Sequence, residues 1–421
     1  MPDWTVTAAP ATREDIIGAY RIFLGRNPDE AGLRYFLDLS TAGELSIGRL
    51  LDRFLECDEF CIATGLRRAR DATAKGRLEE AMGHLLPIFG REPFNGAGRE
   101  AVFDLRARMN AAAREGVAAR YGIRPEEVPQ RLPFVAIGTT GLCNASCIHC
   151  PTGKPETAHV PRVPMDPALF EKLVRGMAEA HIVVTGRINL GLFGDGLVDP
   201  HVIERLRVIR RHLPEVFVSV NTNGAAYNRE KHRALAGLAN IVTLHCEALV
   251  PETYNRLMQP LRHERVFPKI NQLLEDFPGK VEVSVPVSRM NLGELRAIRE
   301  HFTERGAVHV HFDPLLSRDA KDMQLYRSLA LAPQKHNCDR QILEELIVDC
   351  DGRVLICCND FRRSEPIGDL TRESVLDVLV NERRRRVRQQ LDENRHGEIS
   401  TCSRCYADSR MSETWRELVP H

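Results

Sequence analysis

The sequence predicts an α/β chain built around an incomplete six-unit parallel barrel, preceded by an all-helical region and followed by a small cysteine-rich α+β region. Three observations predict it. Six β-type runs alternate with amphipathic helical stretches between Phe134 and Phe312, the pattern of a parallel sheet with helical crossovers. Before residue 131 apolar residues recur only at helical spacing, and after Pro333 regular periodicity gives way to a segment holding six of the 12 cysteines. The expected division is a helical module over 1–75, a helical connector over 76–131, the barrel over 132–332 and the cysteine-rich domain over 333–421.

Length and composition bound the rest. At 421 residues and 43% hydrophobic, the chain is long enough for two or three domains with a sizeable core. Its 58 basic and 58 acidic side chains cancel, so it has no general attraction to nucleic acid or to an anionic membrane, and any partner must be recognised at a local site. The start, MPDWTVTAAPATRED, lacks a basic region followed by an apolar one, and no apolar stretch approaches the roughly 20 residues of a membrane span. A cytoplasmic location is expected, where cysteines serve metals more often than disulfides.

In the helical module, Thr12 to Asp15 has the pattern of a capping box ahead of Ile16, Tyr20, Phe23 and Leu24, and Gly25 to Pro28 ends that helix. A second helix carries Leu33, Phe36 and Leu37. A third, opened by Ser46, carries Ile47, Leu50, Leu51, Phe54 and Leu55. Cys57 and Cys61, four apart, are expected on one helical face as core thiols. The stretch from Tyr20 to Phe60 resembles a helical domain of unassigned function found in bacterial surface-associated and saccharide-related proteins, which implies no chemistry. From Ala72 to Arg131 the chain stays helix-rich, broken near Pro87, Pro93 and Pro125.

The six strand runs are 134–137, 187–193, 216–221, 241–246, 281–287 and 308–312, several of them continuously apolar as parallel strands covered on both faces require. Asp166 caps a helix whose first position is Pro167, and Pro251 with Glu252 opens a later one. Directly after the first strand comes Cys143-Asn144-Ala145-Ser146-Cys147-Ile148-His149-Cys150. Three thiolates on one tight loop can hold three irons of a 4Fe-4S cube and leave the fourth open. The alternatives for these residues are a zinc site, with His149 as the nearest fourth ligand, or reduced structural thiols.

This CxxxCxxC loop, so placed, resembles the signature of the radical S-adenosylmethionine (radical SAM) superfamily over residues 132 to 330, and the fold it implies is a partial (β/α)6 radical SAM barrel. The resemblance implies that Cys143, Cys147 and Cys150 hold a 4Fe-4S cluster, and that SAM chelates its open iron. It also implies reductive cleavage of SAM to a 5′-deoxyadenosyl radical that abstracts hydrogen from carbon, with an electron from a reductant such as flavodoxin or ferredoxin. His149 holds the place of the family's adenine-stacking aromatic. Gly194-Asp195-Gly196 corresponds to the motif that binds the SAM amino group, with Asp195 one methylene shorter than the usual glutamate and Gly196 in place of proline. Asn221 and Asn223 resemble the polar end of the third strand, and Ser288, Arg289 and Asn291 follow the fifth, where ribose and carboxylate contacts often fall.

The second cysteine group reads Cys338, Gly352, Cys357, then Cys402-x-x-Cys405, with Asp351-Gly352 as a hairpin turn between two apolar runs and Ile367 to Leu370 leading into a helix. This is similar to the SPASM/twitch extension of radical SAM enzymes. It implies one auxiliary 4Fe-4S cluster on Cys338, Cys357, Cys402 and Cys405, with Cys358 a close substitute for Cys357. Taken alone, four such thiolates could equally hold structural zinc. The run Arg383 to Arg386 reads as a solvated helix face.

Cys246 ends the fourth strand at the expected substrate rim. It is the candidate catalytic thiol, returning a hydrogen atom to a substrate radical, with Cys350 and Cys358 as substitutes; the alternative, commoner for a lone cysteine, is a small buried hydrophobe. The expected reaction is epimerisation or oxidation of a saccharide or saccharide conjugate. The alternatives are a SPASM-type maturase of a ribosomal peptide and a non-catalytic iron-sulfur scaffold.

Overall fold

The computed structural model describes residues 8–320 and 322–421, so part of the N-terminal stretch read for a targeting signal lies outside the described residues. The chain forms two compact units, residues 1–105 and 106–421. In the first, helices Arg13–Ala19, Glu30–Thr41 and Ile47–Glu56 enclose Ile16, Tyr20, Leu45, Leu50 and Phe54, and the Tyr20 and Phe54 rings meet edge-on at 5.0 Å. The Thr12–Asp15 capping box forms, and Ser46 accepts from the Arg49 N–H. The expectation for Cys57 and Cys61 is corrected. Cys57 is the junction residue before helix Asp58–Ala74, not part of a helical face, and both thiols are partly exposed. The aromatic and aliphatic residues fill this core without them.

The second unit is built on six parallel strands in sequence order, β1 (Arg131–Ile137), β2 (Val183–Leu190), β3 (Phe217–Thr222), β4 (Ile241–His245), β5 (Val281–Pro286) and β6 (His309–Asp313). β1 starts three residues before the expected run, and its pairing with β2 is irregular between Leu132 and Phe134, because Pro133 offers no N–H to the ladder. One face of the sheet presents Ile188, Val218, Val242 and Val283 to a core shared with Phe170, Leu206, Ile270 and Phe302 of the crossover helices. The opposite face is polar: Asn189 donates to Ser219 and to Asn221, Thr243 to Glu282, and Ser284 to Asp313, at 2.7–2.9 Å. Buried polar groups persist only when bonded in this way.

The cysteine-rich segment joins the same sheet. β8 (Leu346–Val348) pairs with β1 in parallel, β9 (Arg353–Leu355) returns antiparallel through a turn at Gly352 (φ +87°), and β10 (Pro366–Asp369) forms the outer edge, giving nine strands in all. The expected hairpin is therefore present. β7 (Pro333–Lys335) and β11 (Tyr406–Asp408) form a separate antiparallel pair. The arginine run lies on helix Glu382–Asp392, but it is not uniformly solvated: Arg384 is 1% exposed, turned inward to donate to the Leu343 and Glu345 carbonyls.

Candidate active site

The cysteine loop has little regular structure, and backbone bonds to its surroundings hold it. Ile148 N–H donates to Leu257 O at 2.9 Å, Ser146 N–H to Gln259 O, and Asp195 N–H to Leu142 O at 2.9 Å. Cys143, Cys147 and Cys150 line one cavity of about 210 Å³ at the carboxyl ends of the strands. The same cavity is lined by His149, Gly194, Asp195, Asn221 and Asn223, so the residues expected around SAM from three strands come together. Burial pushes the Cys143 thiol up to about 12 and Cys147 well above the ordinary range, so both stay protonated until a metal displaces the proton.

Two glycines allow tight backbone packing beside the loop. A Cβ at Gly194 would collide with the Leu142 and Thr140 carbonyl oxygens, and one at Gly196 would come within 2.7 Å of Val220 Cγ1 and 2.8 Å of Asn221 O. Both positions are held to glycine by neighbouring protein: Gly194, in the cavity lining, packs against the chain entering the cysteine loop, and Gly196, outside that lining, packs against the end of β3. Asp195 is buried, and its carboxylate accepts from Leu197 N, Thr222 Oγ1 and Asn223 N at 2.7–3.1 Å. It ties the β2 loop to the end of β3. Asn223 Nδ2 donates to Asn144 Oδ1 at 2.7 Å and reaches Cys143 Sγ at 3.9 Å.

Other expected residues fall elsewhere. Cys246 is 0% exposed, lies in the hydrophobic core and directs its thiol to Ala248 O at 3.6 Å. Period-two alternation turns it away from the cavity and turns His245 and Glu247 in, which corrects its reading as the rim thiol. Ser288 and Arg289 are outside the cavity lining. Ser288 bonds to Asn291, whose amide donates to Glu247 O and Pro286 O, and Arg289 donates to Leu331 O. These bonds brace the β5 loop. Cys350 lies in the core, with its thiol against Pro161 O at 3.6 Å.

The cavity also holds residues the sequence did not mark, chiefly His245, Glu247, Arg318 and Asn359, together with the Cys358 thiol. Alternation along β4 could have found the first two. Arg318 and Asp319 both take left-handed backbone (φ 50° and 53°), which costs roughly 1–2 kcal/mol per non-glycine residue and leaves no trace in residue type. Asp319 is pinned by Ser364 Oγ at 2.7 Å and Arg404 at 2.8 Å, while Arg318 lies over the Phe361 ring at 5.3 Å. Burial, aided by the Arg318 charge, depresses His149 and lowers His245 to about 4, so both imidazoles are neutral.

The C-terminal thiols gather beside this cavity. Burial, then the neighbouring Cys405 and Cys338, pushes Cys402 up to about 12; burial and adjoining thiols, Cys402 among them, raise Cys357 as well. Asn359 Nδ2 donates to Cys405 Sγ at 3.2 Å, and His396 Nε2 meets Cys338 O at 2.6 Å. Among the described residues no three His, Cys, Asp or Glu side chains converge as a single metal ion requires. Thiolates bound to separate irons of a cube need no such convergence, and a soft all-sulfur donor set suits iron-sulfur. Both cysteine groups therefore fit clusters.

A barrel whose strand ends carry three cluster-type cysteines, extended by a cysteine-rich hairpin domain, defines an iron-sulfur radical enzyme. Residues 137–301 match the radical SAM superfamily and residues 338–406 an iron-sulfur cluster-binding domain, SPASM. The chain belongs to the radical SAM enzymes that carry a C-terminal SPASM domain, with a SAM-binding 4Fe-4S cluster, auxiliary iron-sulfur binding and SAM itself as its cofactors. In shape it is similar to SuiB of Streptococcus suis bound to precursor peptide SuiA (TM-score 0.51, 12% identity, 76% of this chain and 78% of that one). It is also similar to BtrN in complex with AdoMet and 2-DOIA (0.47, 16%, 65% and 92%) and to anSMEcpe with bound AdoMet (0.44, 14%, 60% and 82%). Identities this low carry a likeness of fold alone. No curated protein matches the chain. No helix among the described residues is long and apolar enough to cross a membrane.

Proposed function

We propose that this is a cytoplasmic enzyme that abstracts a hydrogen atom from a carbon of a saccharide or saccharide conjugate and either epimerises or oxidises it there. The observation that carries this reading is the wall of the cysteine-lined cavity. Asn221, His245, Glu247, Arg318 and Asn359 supply donors and acceptors suited to a hydroxyl-rich molecule, and the Cys358 thiol lies among them. When bound, the cluster and SAM supply the hydrogen-abstracting radical. Cys143, Cys147 and Cys150 hold the SAM-binding cluster, and Cys338, Cys357, Cys402 and Cys405 hold a single auxiliary one. His149 stacks on the adenine, and the backbone at Gly194 and Gly196 approaches the SAM amino group with Asp195 behind it. Asn221 and Asn223 orient the bound molecule, while Ser288 and Arg289 act at one remove by bracing the β5 loop.

Cys358 takes the part first expected of Cys246. As hydrogen donor it would return a hydrogen atom to the substrate carbon, and its sulfur radical would be restored by one electron and one proton. Oxidation would instead remove one electron and one proton from the substrate radical. Anaerobically reconstituted protein with SAM, reductant and candidate sugars in deuterated water separates the outcomes. Epimerisation leaves the product with one carbon-bound deuterium, and oxidation leaves it two hydrogens lighter. Absence of 5′-deoxyadenosine would refute both, and turnover only of a peptide would refute the saccharide reading.

A further inference from the structure

Helix Glu382–Asp392 breaks a rule of helix electrostatics. Its first half carries Arg383, Arg384, Arg385 and Arg386, next to the positive end of the helix dipole, Arg388 follows just past the midpoint, and pairs such as Arg383 with Arg386 and Arg384 with Arg388 repel at i,i+3 and i,i+4. Arg383, Arg385 and Arg386 are exposed, and Arg388 is half-buried. Of the nearby acids, Glu382 opens the helix three and four residues before Arg385 and Arg386, Asp392 faces Arg340 at 3.9 Å, Glu393 pairs with Arg395 at 2.7 Å, and Glu127 pairs with Arg124 at 3.3 Å while also feeling the Arg388 charge. Among the described residues none of these four arginines has an ion pair. A chain neutral overall thus carries on this helix four outward arginines against two acids, Glu382 and Asp392, and a local excess of like charge is the kind of departure that accompanies function.

The position of that face says what it serves. Beneath the helix, Arg384 clamps the Leu343 and Glu345 carbonyls, and just beyond its end His396 meets the Cys338 carbonyl. The same domain extends Cys358 into the cavity that Cys143, Cys147 and Cys150 line. A basic face is thereby mounted on the scaffold of the iron-sulfur cysteines, in an enzyme that must receive electrons from outside.

We infer that the exposed arginine face of helix Glu382–Asp392 is the docking surface for an acidic, low-potential electron-transfer protein. The carrier loses one electron and the enzyme's iron-sulfur centre gains it, with no atom transferred. Complementary charge raises the encounter rate and makes it fall with salt. The inference does not depend on which substrate the enzyme uses.

The test uses the reconstituted full-length holoenzyme and flavodoxin. Titration calorimetry at low ionic strength should show flavodoxin binding that weakens about tenfold or more in an Arg383→Glu, Arg385→Glu, Arg386→Glu triple variant, and that survives in the corresponding triple Lys variant. Formation of 5′-deoxyadenosine should slow to a similar extent with reduced flavodoxin, yet stay unchanged with photoreduced deazariboflavin, a small carrier that needs no docking. The single Arg386→Glu variant provides the same comparison should the triple variant fold poorly. Flavodoxin binding indifferent to charge reversal, or equal losses with both reductants, would overturn the assignment.

Discussion

His149 Nδ1 lies 3.4 Å from Glu247 Oε2, with both side chains buried. This contact joins the cysteine loop to the residue just past β4, so the ring next to Cys150 takes its orientation from the barrel. Burial raises Glu247 from 4.5 to about 8 despite the opposing charge of Arg318.

The burial of Glu247 makes stability depend on pH. Between about 4.5 and 8 the folded chain keeps a proton on Glu247 that the unfolded chain releases, so the contribution is whole below 4.5 and is lost as pH rises towards 8. Glu247→Gln should lose about 1–3 kcal/mol less than the parent protein between pH 5 and pH 8. Parallel pH curves of melting temperature for the two proteins would disprove the assignment.

Gly194→Ala should cost about 2–4 kcal/mol, because the new methyl meets two backbone carbonyls that cannot rotate away. The same change should reduce SAM affinity and also lower the iron content per chain, since the Leu142 carbonyl it presses on immediately precedes Cys143. SAM affinity and iron quantitation on one preparation check both halves; unchanged affinity contradicts the close approach of backbone to SAM at this wall.

Arg205 and Asp199 form a buried ion pair at 2.7 Å, and the same guanidinium donates to Met165 O and lies over the Phe170 ring at 5.0 Å. Asp199→Ala strands that charge and should destabilise the protein by about 3–5 kcal/mol. Asp199→Asn, which keeps an acceptor, should cost less. Chemical denaturation of both variants gives the order, and equal losses would show that the carbonyl bonds rather than the carboxylate hold Arg205.

Cys246→Ala should cost about 1 kcal/mol for a small core cavity and leave 5′-deoxyadenosine formation intact, because its thiol faces the core. Cys358→Ala should retain SAM cleavage but lose carbon-bound deuterium in the product. Product analysis in deuterated water distinguishes the two thiols, and loss of turnover in Cys246→Ala alone would restore the rim assignment.

The strands were legible because β-branched residues such as Val218, Val220, Val242, Val281, Val283 and Val285 recur along them, although the polar residues between, Ser219, Thr243 and Ser284, line a polar face rather than the second apolar cover expected. The cysteine spacings survived folding as local features. The start of β1 was not, since Pro133 hides a strand behind a residue that usually ends one. Cys246 was placed by chain position, whereas the pleat decides direction, and reading His245 and Glu247 around it would have reversed the assignment. Arg318 lies beyond sequence reasoning, because its left-handed turn is held by Ser364 and Arg404, far away along the chain.

The parallel pairing of β8 with β1 makes the C-terminal domain a structural lid on an otherwise bare sheet edge. An expression clone ending near residue 332 would leave the β1 backbone open along Val135, Ala136 and Ile137, a sticky seam ready to template aggregation. Removing the auxiliary domain to isolate the radical chemistry would therefore yield insoluble material. Single cysteine replacements, which leave the seam closed, are the practical way to silence one cluster and keep the other.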